Sequence, residues 1–106
     1  MSEARAAQFQ KLVDQQPEND LFRFSLAQAL EAAGRAEQAV PHYAQCVAAK
    51  ADWMMPRILL GKLQLKLGRR DAAKPILEDA LRLALAQDHE DPAAELQLLL
   101  AELESR

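Results

Sequence analysis

The apolar residues of this chain recur with helical spacing in six segments, and short polar stretches separate these segments. In the first segment, for example, Phe9, Leu12 and Val13 form one apolar stripe. The pattern predicts helices over residues 2–16, 21–33, 36–50, 53–67, 70–87 and 93–104. Because the connections are short, neighbouring helices are expected to form antiparallel hairpins. No segment has the alternation of a strand.

Residues typical of helix ends lie at the boundaries between these segments. Gly34 and Gly68 follow helical segments, where glycine readily takes the left-handed conformation that ends a helix. Polar residues that can cap a helix lie at or just before the start of four segments, and they are Ser2, Asn19 or Asp20, Asp52, and Asp91 with Pro92 after it.

Residues 54–87 repeat the pattern of residues 20–53. The matching pairs are Leu26 with Leu60, Gly34 with Gly68, Ala39 with Ala73, and Pro41 with Pro75. A period of this length indicates stacked helical hairpins, since no single hairpin can bury its apolar face alone. The last helix has its apolar stripe two residues later than a strict repeat (Leu96, Leu99, Leu100 and Leu103), so we expect a longer turn before it.

Composition and charge narrow the class of protein. With 106 residues, 50% hydrophobic and 27% charged, the chain fits one globular domain. A net charge of −3 argues against nucleic acid as the main partner. One cysteine, Cys46, excludes an internal disulfide framework. No apolar run approaches a membrane span and no secretory signal core precedes the first helix, so a cytoplasmic protein is expected.

The two copies carry residues of a known motif at matching places. The first copy has Leu26-Ala27, Leu30, Gly34, Ala39, Tyr43 and Cys46, and the second has Leu60-Gly61, Gln64, Gly68, Ala73, Leu77 and Ala80. This pattern resembles the tetratricopeptide repeat, a helix-turn-helix unit of about 34 residues. The chain departs from it at Arg23 and Arg57, where the family often has tryptophan.

The resemblance implies an all-α fold, a right-handed array (an α-solenoid) of six antiparallel helices. In this interpretation residues 1–106 form a single domain. Residues 2–19 are a half-repeat, 20–53 and 54–87 are full repeats, and 88–106 hold a capping helix.

The resemblance also implies a function, because the first helices of such repeats line a concave groove that binds a peptide or a partner helix. The groove positions carried onto this chain are Leu21, Phe24, Gln28, Glu31, Met55, Ile58, Lys62, Leu65, Lys66 and Leu98, with Glu102 beside the last. Four of them, Phe24, Met55, Ile58 and Leu65, are expected to face away from the repeat core as an apolar patch. The alternative is that these residues only pack against adjacent helices. The implied protein is a non-catalytic interaction module without a cofactor.

The charges are unevenly distributed along the chain. Residues 50–82 contain eight basic and four acidic residues, whereas residues 83–106 contain one basic and six acidic residues. Lys62 and Lys66 lie one helical turn apart, so they could attract an acidic partner. The alternative is an ordinary solvated face.

Three other functions can be considered from the residues. Self-association through Leu98 of the last helix would make the protein a weak homodimer rather than a monomer. Cys46 and His42 share one helix, but no third group orients them, so an enzyme is not expected. His89 lies in an acidic turn whose spacing matches no established metal site.

Overall fold

The computed structural model describes residues 2–105, and of Ser2 the backbone alone. This part of the chain forms six α-helices and no strand. The helices are α1 (Ser2–Gln15), α2 (Asp20–Ala32), α3 (Ala36–Ala49), α4 (Met54–Lys66), α5 (Arg70–Ala86) and α6 (Glu90–Glu104). The all-α prediction is confirmed, and α6 begins three residues before its predicted start.

The residues up to Ala51 form one compact unit, in which α2 packs against both α1 and α3. Its core holds Leu26, Ala27, Ala39 and Tyr43, all of them 0% exposed. Arg35, next to the first residue of α3, donates a hydrogen bond to Glu3 near the start of α1. The starts of α1 and α3 therefore lie side by side. Because α2 leads from the end of α1 to the start of α3, it runs antiparallel to both helices.

The residues from Asp52 onward form the second compact unit, in which α5 packs against both α4 and α6. Gly61 of α4 lies against Leu77 of α5, where a Cβ atom at position 61 would fall 2.6 Å from Leu77 Cγ. At the other side of α5, Arg70 Nη2 donates a hydrogen bond of 2.6 Å to the carbonyl oxygen of Leu103. The start of α5 therefore holds the end of α6, as antiparallel packing requires.

Two of the predicted helix caps are corrected. Asn19 does cap α2, with its side-chain oxygen 3.0 Å from the amide nitrogen of Phe22. Trp53 rather than Asp52 precedes α4, and His89 rather than Asp91 precedes α6, and neither makes a side-chain capping bond. Asp52 lies one residue too early to cap α4, and Asp91 already lies inside α6. The predicted cap at Ser2 concerns a side chain outside the described residues.

Three turns end their helices with the same backbone geometry. Gly34 has φ 79° and Gly68 has φ 78°, both in the left-handed region that glycine favours. Asp88 takes the same place after α5 with φ 59°. In each turn two successive amides donate back to the last turn of the helix, as in a Schellman motif. The prediction that glycine ends α2 and α4 is confirmed, and an aspartate does the same for α5.

The offset of the last helix is confirmed, but its predicted origin is wrong. The step from the start of α4 to the start of α6 is two residues longer than the step from α2 to α4. The connection before α6 has three residues, one fewer than the connection before α4. The extra length lies in α5, which has 17 residues where α3 has 14. A longer helix, and not a longer turn, displaces α6 along the sequence.

Candidate functional site

An open cleft of about 380 Å³ lies between α4 and α6. Its lining residues are Lys62, Leu65, Lys66, Glu95, Leu98, Leu99 and Glu102. This volume falls within the range of about 300–1,000 Å³ that is typical of ligand clefts. Five of the seven, all except Glu95 and Leu99, are expected from the sequence to face a groove.

Helical spacing places each set of lining residues on one face of its helix. On α4 the lining residues lie three and four positions apart, and on α6 they lie three, four and seven positions apart. Leu65 and Leu99 are partly buried and pack against the core shared by α4, α5 and α6. Leu98 is 69% exposed. The cleft therefore has an apolar floor that packs against the core, and one leucine side chain that is largely exposed to solvent.

Charged side chains line the two sides of the floor with opposite sign. Lys62 and Lys66 belong to the α4 side, and Glu95 and Glu102 belong to the α6 side. Lys62 and Glu95 form an ion pair across the cleft. Their side chains are 37% and 60% exposed, so this pair contributes little to stability and can exchange partners at low cost.

The prediction from sequence does not include Glu95 or Leu99 among the groove positions, and it assigns Leu99 to the apolar stripe that faces the core. The signal that could have placed them in the cleft is the spacing of Glu95, Leu98, Leu99 and Glu102, which puts all four on one face of a helix.

The other groove residues predicted on α4 divide into one exposed and one buried. Met55 is 42% exposed, as expected. Ile58 is only 7% exposed and belongs to the core cluster with Met54 and Leu77. The prediction that Ile58 faces away from the repeat core is therefore wrong, because α4 buries more of its circumference than a half-exposed helix would.

The groove residues predicted on α2 lie in the unit that ends at Ala51. Leu21 is 63% exposed, and Gln28 lines a shallow cleft together with Arg5. Phe24 is half-buried and packs edge-on against Tyr43 with ring centres 6.0 Å apart, and Tyr43 in turn donates a 2.9 Å hydrogen bond to Glu31. A groove shared by α2, α4 and α6 stays a prediction, and the α4–α6 cleft is the part of it described above.

Arg57 occupies the core position at which the family often has tryptophan. It is 5% exposed, and its Nε donates a 2.6 Å hydrogen bond to Asp79 Oδ2 while Nη1 donates a 2.7 Å bond to the carbonyl oxygen of Trp53. Asp79 also accepts from Arg82 on its own helix. The hydrogen bonds from Arg82 and Arg57 lower the pKa of Asp79. A buried cation with its own carboxylate thus replaces an aromatic ring.

Arg23, the equivalent residue in the first copy, contacts a histidine rather than a carboxylate. Its Nη1 lies 3.1 Å from His42 Nδ1, and Nη2 donates to the carbonyl oxygen of Pro17. An arginine can only donate, so His42 Nδ1 must accept and carries no proton. Burial, with the charge of Arg23 added, lowers the pKa of His42, in the same sense as this hydrogen bond.

Cys46 lies in the core and does not have the environment of a reactive thiol. It is 0% exposed, and its Sγ donates a weak 3.7 Å hydrogen bond to the carbonyl oxygen of Asp20. Burial, with a smaller contribution from Asp20, raises the pKa of this thiol to about 11. Since the thiolate is the nucleophile, the arrangement disfavours a catalytic Cys46–His42 pair.

Two features were not found among the described residues, a cluster of metal-ligating side chains and a membrane-spanning helix. Residues 2–105 contain no group of three His, Cys, Asp or Glu side chains placed to hold a metal ion. Among the same residues, no helix has both the length and the apolar character needed to cross a bilayer.

A family model matches part of this sequence, and a known protein matches nearly all of it. Residues 57–87 match the model of the tetratricopeptide repeat. The chain is 30% identical over 96 residues to mouse DnaJ homolog subfamily C member 3. That match covers 91% of this chain and 19% of the mouse protein, so the chain spans about a fifth of the length of this curated relative.

The fold matches solved structures closely. PcrH in complex with the chaperone binding region of PopD has a TM-score of 0.90 at 24% identity, covering 99% of this chain and 80% of that one. PcrH from Pseudomonas aeruginosa has a TM-score of 0.82 at 24% identity, covering 93% and 76%. A tetratricopeptide repeat domain protein from Salinibacter ruber has a TM-score of 0.73 at 25% identity, covering 83% and 98%. The family model therefore shows a tetratricopeptide repeat at residues 57–87, and the solved structures show that the chain has the fold of a tetratricopeptide repeat domain.

Proposed function

We propose that this protein is a non-catalytic interaction module, and that the cleft between α4 and α6 binds a peptide or a partner helix. The observation that carries the proposal is Leu98, a large apolar side chain that is 69% exposed above a floor of Leu65 and Leu99. Apolar side chains presented together within a charged rim are typical of interaction sites. PcrH, which has the same fold, is known in complex with the chaperone binding regions of PopD and PopB, and this supports the proposal by analogy.

Binding would be driven by removal of apolar surface from water. An apolar side chain of the partner would cover Leu98 and contact Leu65 and Leu99, with a gain of roughly 25 cal/mol for each Å² of apolar surface buried. Met55, Leu21 and Phe24 would extend this surface if the groove continues along α2, as the family resemblance implies. The single buried cysteine suits a reducing compartment, so we infer that the module acts in the cytoplasm.

The first test compares two exposed leucines of the same unit. Leu98 lines the cleft, whereas Leu85 on α5 is 55% exposed and does not line it. Peptides would be selected from a random displayed library on the unchanged protein, and their affinities measured by fluorescence anisotropy. We expect Leu98→Asp to weaken binding at least about tenfold, because a charge would enter the apolar contact, and Leu85→Asp to leave it unchanged.

The controls decide between the cleft and other surfaces. Both variants should give the circular dichroism spectrum of the unchanged protein, since both side chains are already exposed. Equal affinity of the selected peptides for both variants would contradict the proposal and move the binding site away from α6.

Self-association is the second candidate, and the same cleft favours it. A surface with a basic side and an acidic side is self-complementary across a two-fold axis, where the basic side of one copy meets the acidic side of the other. A mass that rises with protein concentration in sedimentation equilibrium, and that falls to the monomer in Leu98→Asp, would support this function instead.

A further inference from the structure

We infer that the α4–α6 cleft selects a segment of mixed charge, in which one apolar side chain lies between an acidic residue facing α4 and a basic residue facing α6. The inference rests on the proposed function and specifies the occupant of the same cleft. It differs from the expectation from sequence, in which Lys62 and Lys66 attract an acidic partner. The difference comes from Glu95 and Glu102, which form the opposite side.

The two charged sides run along the cleft in the same direction. Lys62 pairs with Glu95 at one end, while at the other end Leu65 and the turn at Gly68 line a smaller pocket with Glu102. Residue numbers therefore increase in the same direction along α4 and along α6, so these two helices run parallel beside the cleft. With a rise of about 1.5 Å per residue, the two lysines are about 6 Å apart along α4 and the two glutamates about 10 Å apart along α6.

A partner of one charge sign would meet repulsion on one side of this cleft. An acidic segment would be attracted by the lysines and repelled by Glu95 and Glu102, and a basic segment would meet the reverse. Close pairs of like charge at a surface are unfavourable by amounts similar to the gain from opposite pairs. A segment with an acidic flank and a basic flank satisfies both sides at once.

The apolar floor fixes where the uncharged part of this segment must lie. Leu65, Leu98 and Leu99 lie between the charged sides, so the apolar side chain of the partner occupies the middle and its charges fall on either flank. The ion pair between Lys62 and Glu95 shows the order of charges across the cleft, which the partner would match with the opposite charges. When the partner binds, its acidic group replaces Glu95 at Lys62, and its basic group replaces Lys62 at Glu95.

The experiment asks whether each side of the cleft selects the opposite charge. Random displayed peptides would be selected in parallel on the unchanged protein, on Lys62→Glu with Lys66→Glu, and on Glu95→Lys with Glu102→Lys. We expect the unchanged protein to enrich peptides that carry both signs around an apolar residue. The first variant should enrich peptides with basic residues on both flanks, and the second should enrich peptides with acidic residues on both flanks.

Affinities of individual peptides give the magnitude. A peptide selected on the unchanged protein should bind about fivefold to tenfold more weakly to either double variant, which is the scale of one or two exposed charge pairs. Lys11→Glu and Glu18→Lys are the matched controls, since both residues are exposed on the other unit and change charge in the same directions. Neither control should change the peptides selected.

The outcomes separate this inference from the proposed function. If the peptides need Leu98 but carry one sign of charge, or if reversing a side leaves their charges unchanged, the mixed-charge inference is overturned and the proposed cleft stands. If the peptides bind Leu98→Asp as well as the unchanged protein, both are overturned. Selection of no peptide, together with a concentration-dependent mass, would also overturn both and leave a second copy of the chain as the occupant.

Discussion

Arg23 and Arg57 occupy the same place in the two copies, but their surroundings differ. Arg57 binds Asp79, whose counterpart in the first copy is Gln45. Arg23 instead approaches the neutral ring of His42, and its Nε atom is buried without a hydrogen-bond partner among residues 2–105. A buried charge is costly unless it is paired. In the second copy the charge of Arg57 is balanced by a carboxylate, whereas in the first copy Arg23 contacts an imidazole ring and a carbonyl oxygen.

The first stability prediction concerns the carboxylate that pairs with Arg57. Asp79→Asn should lower the free energy of unfolding by about 1–3 kcal/mol at pH 7, because Arg57 would stay buried without a charged partner. The loss should be smaller than for a fully buried pair, since the Asp79 side chain is 37% exposed. Urea unfolding measures it, with the exposed Glu78→Gln as a control that should change little.

The same pair predicts how this difference depends on pH. The pKa of Asp79 is lowered in the folded protein from its ordinary value of 3.8. Its contribution is therefore complete above about pH 4, and it is lost as the pH falls through the folded pKa. The wild-type and Asp79→Asn proteins should converge in stability at the acid end. A constant difference from pH 7 to pH 3 would show that the charge of Asp79 is not what Arg57 requires.

At the scale of elements, α4 and α5 approach closely because position 61 has no side chain. In Gly61→Ala the new methyl group would lie 2.6 Å from Cγ of Leu77, which is 0% exposed and belongs to the core cluster of α4, α5 and α6. We expect a net loss of about 1–2 kcal/mol, since overpacking outweighs the better helix propensity of alanine. Urea unfolding of Gly61→Ala, Leu77→Ala and the double variant checks this.

The double variant isolates the contact itself. Leu77→Ala alone should cost about 2–5 kcal/mol as a core truncation. Once Leu77 is shortened, the methyl group at position 61 should fit, so Gly61→Ala should cost nothing further or should stabilise. Additive losses in the two backgrounds would mean that the contact between Gly61 and Leu77 does not set the separation of the helices.

The turn between α5 and α6 gives a second prediction for an element. Asp88 has φ 59°, a conformation that glycine takes with less strain than aspartate. Asp88→Gly should therefore raise the free energy of unfolding by about 0.5–1 kcal/mol, and Gly68→Asp at the equivalent turn should lower it by a similar amount. Thermal unfolding of the two variants should shift the midpoint in opposite directions, and a shift in the same direction would contradict this account.

At the scale of the whole molecule, the sequence was sufficient for the helices and their pairing. Helical spacing, the two glycine turns and the internal repeat are local or periodic signals, so they can be recognised in the sequence alone. The exposure of Leu98 and the buried position of Tyr43 follow from the same periodicity. The family pattern then supplied the interpretation of the cleft as an interaction site.

The failures concern residues whose environment depends on a partner helix. The repeat pattern assigns one exposed face to each first helix and so predicts Ile58 as a groove residue, but α4 also buries this side. The pairing of Arg57 with Asp79 joins residues 22 positions apart, which no spacing rule within a helix predicts. Helical spacing puts Glu95 on the same face as Leu98, but its ion pair with Lys62 joins two helices and cannot be predicted from that spacing.

The longer α5 changes how the last helix must be aligned with the two copies of the repeat, both in this chain and in designs based on it. At the interval that separates the first two copies, the buried Leu60 is aligned with Ala94, an exposed residue, whereas two residues further on it is aligned with the buried Leu96. Two residues turn a helix by about 200°, so a fixed interval compares the inside of one helix with the outside of another. A third copy grafted onto this protein should therefore start at Glu90, and one started at Asp88 would turn its apolar face to the solvent.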